Sequence, residues 1–155
     1  MFKNFKNNKE GFTLIELLLV IAVIVALAVT VFVALNPGKR VADARDARRT
    51  SDADSILTAI QQYIVDNSGS LPTGVTTTEK MLGTGATCAV TSSSCSTAAA
   101  CLDASSTLAA YLKTIPTDPK VGTNAMTYYS VKADTNNLIT VRACGAENTT
   151  VVSTR

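Results

Sequence analysis

The clearest feature of the chain is one long apolar run. From Leu17 to Leu35 nineteen consecutive residues contain a single polar side chain, Thr30. As a helix they would span roughly 28 Å at 1.5 Å per residue, close to the thickness of a bilayer core. The apolar character starts earlier, at Phe12, so that Glu16 sits inside it. A charge in hydrocarbon costs at least about 2.5 kcal/mol, which asks for a compensating role. A cleaved secretory signal fits poorly, because no A-x-A-like site leads into a polar chain and "VALNPGKR" runs straight into charge.

After the run, Pro37 interrupts helical bonding and presses Asn36 toward extended geometry, predicting a kink there. The pattern then regains a helical period. Ala53, Ile56, Leu57, Ile60, Tyr63 and Ile64 form one apolar stripe, suited to packing a head domain. "DNSGSLP" supplies the stop, with Asn67 and Gly69 for a left-handed cap and Pro72 beyond. A helix from Phe12 to about Asn67 follows, on the order of 80 Å long.

Residues 73–107 are rich in Ser, Thr, Ala and Gly, a composition that orders poorly without staples. "STLAAYLKTIP" allows a helical turn or two around Leu108, Tyr111 and Leu112. "MTYYSVKADTNNLITVRAC" reads as two strands, Tyr128 to Lys132 and Leu138 to Cys144, turning around Asp134 to Asn137. The pattern therefore predicts an α+β fold: a long kinked helix packed on a small antiparallel sheet.

Charge changes little in this picture. Lys3, Lys6 and Lys9 against Glu10 account for the whole excess of +2, and from Phe12 onward eleven basic and eleven acidic side chains balance. Between Lys39 and Asp54 the signs mix at helical spacing, placing Lys39 near Asp43, Asp46 near Arg49 and Arg48 near Asp52. This stretch reads as a solvated face that contacts other subunits, and gives no support to nucleic acid as a partner.

The absence of His removes the commonest general base, the usual hydrolase partner and most catalytic zinc sites. What carboxylates remain, such as Asp66 and Asp118, are not grouped, so a non-enzymatic protein without a cofactor is expected. Cys88, Cys95, Cys101 and Cys144 all follow the apolar run, as in a part that faces an oxidising compartment. Gaps of six, five and forty-two residues suit disulfides better than a four-thiolate zinc site. Four cysteines allow three pairings. Cys88 with Cys95 and Cys101 with Cys144 is the preferred one, closing a local loop and tying the Ser/Thr-rich region to the last strand. Basic residues on both sides of the apolar run orient it poorly, and Lys39, Arg40, Arg45, Arg48 and Arg49 alone would place the carboxy-terminal part in the cytoplasm, against the cysteines.

The short basic leader ending in "KEG", followed by "FTLIE" and the apolar run, resembles the processing site of type IV prepilins and type II secretion pseudopilins. Gly11, Phe12, Thr13 and Glu16 occupy the matching positions. The resemblance implies a pilin-like fold and cleavage by a membrane-embedded aspartic peptidase between Gly11 and Phe12, with methylation of the new Phe12 amine. It also implies assembly through Thr13 and Glu16. A glycine there offers bare backbone to a protease cleft. The Phe12 amine of one subunit against Glu16 of its neighbour would neutralise two costly charges and penalise wrong registers.

With the resemblance the chain divides into a leader (1–11), an apolar assembly helix (12–36), its amphipathic continuation (37–67) and a head (68–155). The partners implied are further copies of the chain, prepilin peptidase and the inner-membrane assembly machinery. The membrane would store the subunit as a single-pass protein with its head outside, before an extracellular filament forms for adhesion, motility or DNA uptake. A secretion pseudopilin and a plain single-pass membrane-anchored binding protein are the alternatives. Pseudopilin heads often hold calcium in a carboxy-terminal loop, and by that resemblance Asp118, Asn124, Asp134 or Asn136 would supply oxygen ligands. All four are also ordinary turn residues, and no metal site is assigned.

Overall fold

The computed structural model describes residues 11–155; the leader residues Lys3, Lys6, Lys9 and Glu10 lie outside the described part. Helix α1 runs Leu14–Leu35 and helix α2 Pro37–Asp66. Four strands follow: β1 (Lys80–Met81), β2 (Tyr129–Ala133), β3 (Ile139–Ala143) and β4 (Val152–Thr154), antiparallel in the order β1-β2-β3-β4. The expected α+β, pilin-like layout is what forms. The chain comprises two compact units, one ending at Arg40 and one spanning Val41–Arg155.

In the first unit none of the α1 side chains is buried. Among the described residues it forms the part of the helical run that is long and apolar enough, by length and composition, to cross a membrane. Its one interior hydroxyl, on Thr30, donates to the Leu27 carbonyl at 2.8 Å and so makes no demand on the surroundings. The helical run is interrupted at Asn36, but not in the expected extended geometry. Asn36 takes φ 41°, ψ 70°, the left-handed region that Asn tolerates. The residue before proline is kept out of the right-handed helix, and here the left-handed alternative wins because it satisfies both helix ends. The Asn36 carbonyl accepts from the Lys39 and Arg40 amides at 3.1 and 3.3 Å, and Arg40 Nε donates back to the Leu35 carbonyl at 3.1 Å.

In the second unit the expected stripe is the core. Ala53, Ile56, Leu57 and Ile60 are buried against Tyr129, Val131 and Ala133 of β2 and Ile139, Val141 and Ala143 of β3, with Tyr63 and Ile64 partly buried at the rim. These strand residues alternate, as a sheet with one face on a helix requires. The register sets Tyr129 opposite Ala143, Val131 opposite Val141 and Ala133 opposite Ile139. The hairpin is thus where the pattern predicts it. Asp134 Oδ1 closes its turn by accepting from the Asn136 and Leu138 amides at 2.8 and 2.7 Å, with Asn137 left-handed at φ 61°. β1 and β4 are too short to show alternation in sequence.

Other elements differ in detail. The left-handed residues after α2 are Ser68 and Gly69, and the Gly69 amide donates to the Ile64 carbonyl at 2.8 Å. Asn67 instead turns its side-chain amide back to the Tyr63 carbonyl at 2.8 Å. Around the buried Leu108 the chain makes turns rather than a helix, held by Leu108 N to Ala104 O and Leu112 N to Leu108 O.

All four cysteines are disulfide-bonded, but the preferred pairing is wrong: Cys88 joins Cys101 and Cys95 joins Cys144. The reason is that residues 88–101 fold back on themselves. The Cys88 amide donates to the Ala99 carbonyl, the Thr97 amide to Val90, and Thr91 bridges Ser96. The two ends of the loop therefore meet, with Cys88 and Cys101 Cα atoms 4.9 Å apart, while Cys95 at the tip reaches across to Cys144. With Met81, these cysteines cover the face of the sheet opposite α2, which explains why Ser130 is fully buried.

Candidate functional site

Gly11 and Phe12 precede α1 and are exposed, Phe12 to 89%, and a Cβ added at Gly11 would meet nothing within 4 Å. Thr13, extended at φ −80°, ψ 151°, is the amino-terminal cap. Its hydroxyl accepts from the Glu16 amide at 3.3 Å, and Glu16 Oε2 accepts from the Thr13 amide at 2.8 Å and hydroxyl at 2.7 Å. This reciprocal box satisfies donors that a helix start leaves open, and a carboxylate there also suits the helix dipole. The spacing Thr13-x-x-Glu16 carries that signal in the sequence. The carboxylate left unexplained in the apolar run thus has a partner within its own chain. The box uses nothing upstream of Thr13.

Most of the charged stretch of α2 is solvated as expected, with Lys39, Arg40, Asp43, Arg48 and Asp54 exposed, but two of its charged residues are not. Arg49 is fully buried and Asp46 is 4% exposed. Arg49 forks onto Asp118 through Nε to Oδ2 at 2.6 Å and Nη2 to Oδ1 at 3.0 Å, while Nη1 donates to Asp46 Oδ1 at 2.7 Å and Glu147 Oε1 at 3.1 Å. Glu147 in turn receives both ends of Arg45, at 2.7 and 2.8 Å, and Lys120 Nζ at 2.8 Å. Three cations and three carboxylates balance, the condition under which burial of charge is tolerable. Of the other predicted pairs, Arg48 approaches Asp52 at 3.8 Å, Asp52 accepts from the Tyr129 hydroxyl, and Asp43 accepts from the Asn148 side chain.

The cluster sets its own titration. Hydrogen bonds from Arg45, then Lys120 and Arg49, hold Glu147 far below the ordinary carboxylate range. Burial pushes Asp118 up, but Arg49 and the Lys120 and Val121 amides outweigh it and leave its pKa lowered. Asp46 follows the same logic, with burial opposed by the Asn148 and Glu147 amides and by Arg49. Arg49 is raised by Asp118 first, against its own burial. Burial and the bond to Asp52 raise the Tyr129 phenol.

Space around Asp118 is reserved by glycine. A Cβ at Gly145 would lie 2.4 Å from Asp118 Oδ2, and one at Gly122 would lie 2.2 Å from the Asp118 amide nitrogen.

The four residues named for calcium do not converge. Asp118 is committed to Arg49, Asp134 and Asn136 close the β2–β3 turn, and the Asn124 carbonyl accepts from Thr84. Among the described residues no group of three or more His, Cys, Asp or Glu side chains is placed to hold a metal ion.

The prokaryotic N-terminal methylation motif matches residues 6–32, which takes in Gly11, Phe12, Thr13, Glu16 and most of α1. No curated protein and no solved structure matches the chain. The motif points to a structural protein rather than an enzyme, processed by prepilin peptidase, and with the long apolar helix it fits a membrane-anchored precursor of a surface filament. Carrying this class III signal ahead of a long helix and a small antiparallel head, the chain is a type IV pilin- or pseudopilin-like protein.

Proposed function

We propose that the chain is the structural subunit of a type IV pilus-like surface filament. The observation that carries this reading is α1 itself: a 22-residue apolar helix with no buried side chain, headed by the methylation motif. Such a surface is stable only in lipid or against other copies of itself. Both environments are used in turn. The subunit waits in the inner membrane as a single-pass protein with its disulfide-bonded head outside, is cut between Gly11 and Phe12 and methylated on Phe12, and polymerises through residues 12–36. The assembly machinery of that membrane and further copies of the chain are its partners.

In this scheme Glu16 has two successive occupants. In the lone subunit it caps its own helix through Thr13. In the filament the Phe12 amine of a neighbour replaces that bond, adding a full positive charge where the cap offers only dipoles. Pro37 and the left-handed Asn36 mark the limit of the assembly helix, residues 37–67 continue it, and residues 68–155 complete the head.

Amino-terminal sequencing and intact mass of protein sheared from the cell surface test the reading. The expected product begins at a singly methylated Phe12; a product beginning at Met1, found only in membranes, overturns it in favour of a plain anchored protein. Glu16→Ala should leave the protein made and inserted but abolish filaments. Normal filaments from cells with only that variant would sink the pairing with Phe12.

A further inference from the structure

Between β3 and β4 the chain leaves the sheet at Cys144, crosses α2 and returns at Val152, opposite Arg142. During the crossing three consecutive amides converge on one carboxylate. Glu147 N lies 3.1 Å from Asp46 Oδ1, and Asn148 N and Thr149 N lie 2.8 and 3.2 Å from Oδ2, with the Thr149 hydroxyl 3.4 Å from the same oxygen. Successive N–H groups arranged this way form an anion-binding concavity, and the anion is supplied by α2. The side chains of the same segment add to the hold, Glu147 onto Arg45 and Arg49 and Asn148 onto Asp43. At its far ends the segment is fixed independently. Cys144 is bonded to Cys95, whose sulfur touches Ser130 Oγ of β2 at 3.4 Å, and Val151 is buried in the core.

What this segment holds has little else to hold it. The apolar core reaches α2 only from Ala53 onward. Between Val41 and Arg49 the buried residues are Ala42, Asp46 and Arg49, one methyl group and an ion network. Parts of a fold with few buried apolar contacts open first, and open alone.

We propose that residues 144–151 are a strap fastening the turns of α2 from Ala42 to Arg49 onto the sheet, and that Asp46 is its latch, so that those turns can open while β2 and β3 remain folded. Both Asp46 oxygens face donors only, Arg49 Nη1 and Glu147 N on one side and the Asn148 and Thr149 groups on the other. Asparagine in that place must set its own N–H₂ against one of those donors. Asp46→Asn therefore releases the latch without changing its size.

The test is hydrogen exchange, read by mass spectrometry, on the full chain in detergent micelles with its disulfides intact. In Asp46→Asn the amides of residues 42–49 and 147–149 should exchange at least tenfold faster than in the wild type, with those of Val131 and Val141 unchanged. Equal acceleration throughout β2 and β3, or none near α2, would overturn the proposal. Should Asp46→Asn fail to fold, Asn148→Ala combined with Thr149→Val removes only the bonds to Asp43 and the hydroxyl bond to Asp46. That variant should show the same local pattern at a few-fold amplitude, and an unaltered pattern there refutes the latch. The measurement is made on unassembled protein, so its failure is separate from a failure of the filament reading.

Discussion

Replacing Arg49 by methionine keeps most of the side-chain volume and deletes the charge. Asp118, also fully buried at its carboxylate, would lose both guanidinium bonds and keep the Lys120 and Val121 amides, and Asp46 would keep the strap amides but lose its only cation. Stranding one partner of a buried pair typically costs about 3–5 kcal/mol. The remaining amide donors place the expected loss near about 3 kcal/mol, a large part of the roughly 5–15 kcal/mol by which a domain is stable. For a head of this size the melting temperature should fall by roughly 10 °C. Circular dichroism melting of the full chain in detergent, disulfides intact, reads it directly. The double variant Arg49→Met with Asp118→Asn should be more stable than Arg49→Met alone, because the fully buried Asp118 is then no longer a charge without a cation. A melting temperature for Arg49→Met within a degree or two of wild type would refute the reasoning, since Arg49 would then be packed but energetically idle.

Three further outcomes follow from the same network and its staples. Asp46, Asp118 and Glu147 all have pKa values lowered in the folded head, so the unfolded chain takes up their protons first as pH falls. Their stabilisation is complete above the unfolded range of about 4 and is lost below it, so the urea midpoint should stay flat from pH 7 to about pH 5 and then drop; a decline that begins above pH 6 would contradict the network. Peptide mapping without reductant should recover Cys88 with Cys101 and Cys95 with Cys144. Cys95→Ser with Cys144→Ser, opening the crosslink of sequence separation 49, should cost about 4 kcal/mol, against about 3 kcal/mol for the separation-13 pair by loop entropy. A smaller loss for the longer loop would argue against that account.

Features carried by consecutive residues were legible in the sequence. The apolar helix, the methylation motif at its start, the stripe from Ala53 to Ile64 and the hairpin around Asp134 each depend on neighbours a few positions apart. Arg49 depends on Asp118 and Glu147, 69 and 98 residues away, and local spacing between charges suggested a wet surface instead. One signal did exist. Stepping back from Ala53 by helical intervals lands on Arg49, Asp46 and Ala42, so the core stripe continues through charged residues without changing face. A charge on a core face asks for a partner, and only the folded chain says which. The disulfide pairing was hidden likewise, because nearness along residues 88–101 says nothing of which ends meet when the loop doubles back.

That pairing has a consequence under proteolytic attack. The two covalent loops, 88–101 and 95–144, overlap rather than lie side by side. Every peptide bond from residue 88 to residue 144 is therefore enclosed by at least one crosslink. A protease that cuts once between residues 88 and 107 releases nothing, because the two pieces remain one covalent molecule. Under the side-by-side arrangement, Cys88 with Cys95 and Cys101 with Cys144, a single cut among residues 96–100 would split the head in two and separate everything before the cut from everything after it. The crossed pairing lets the loop of residues 88–101 be cut without the subunit coming apart.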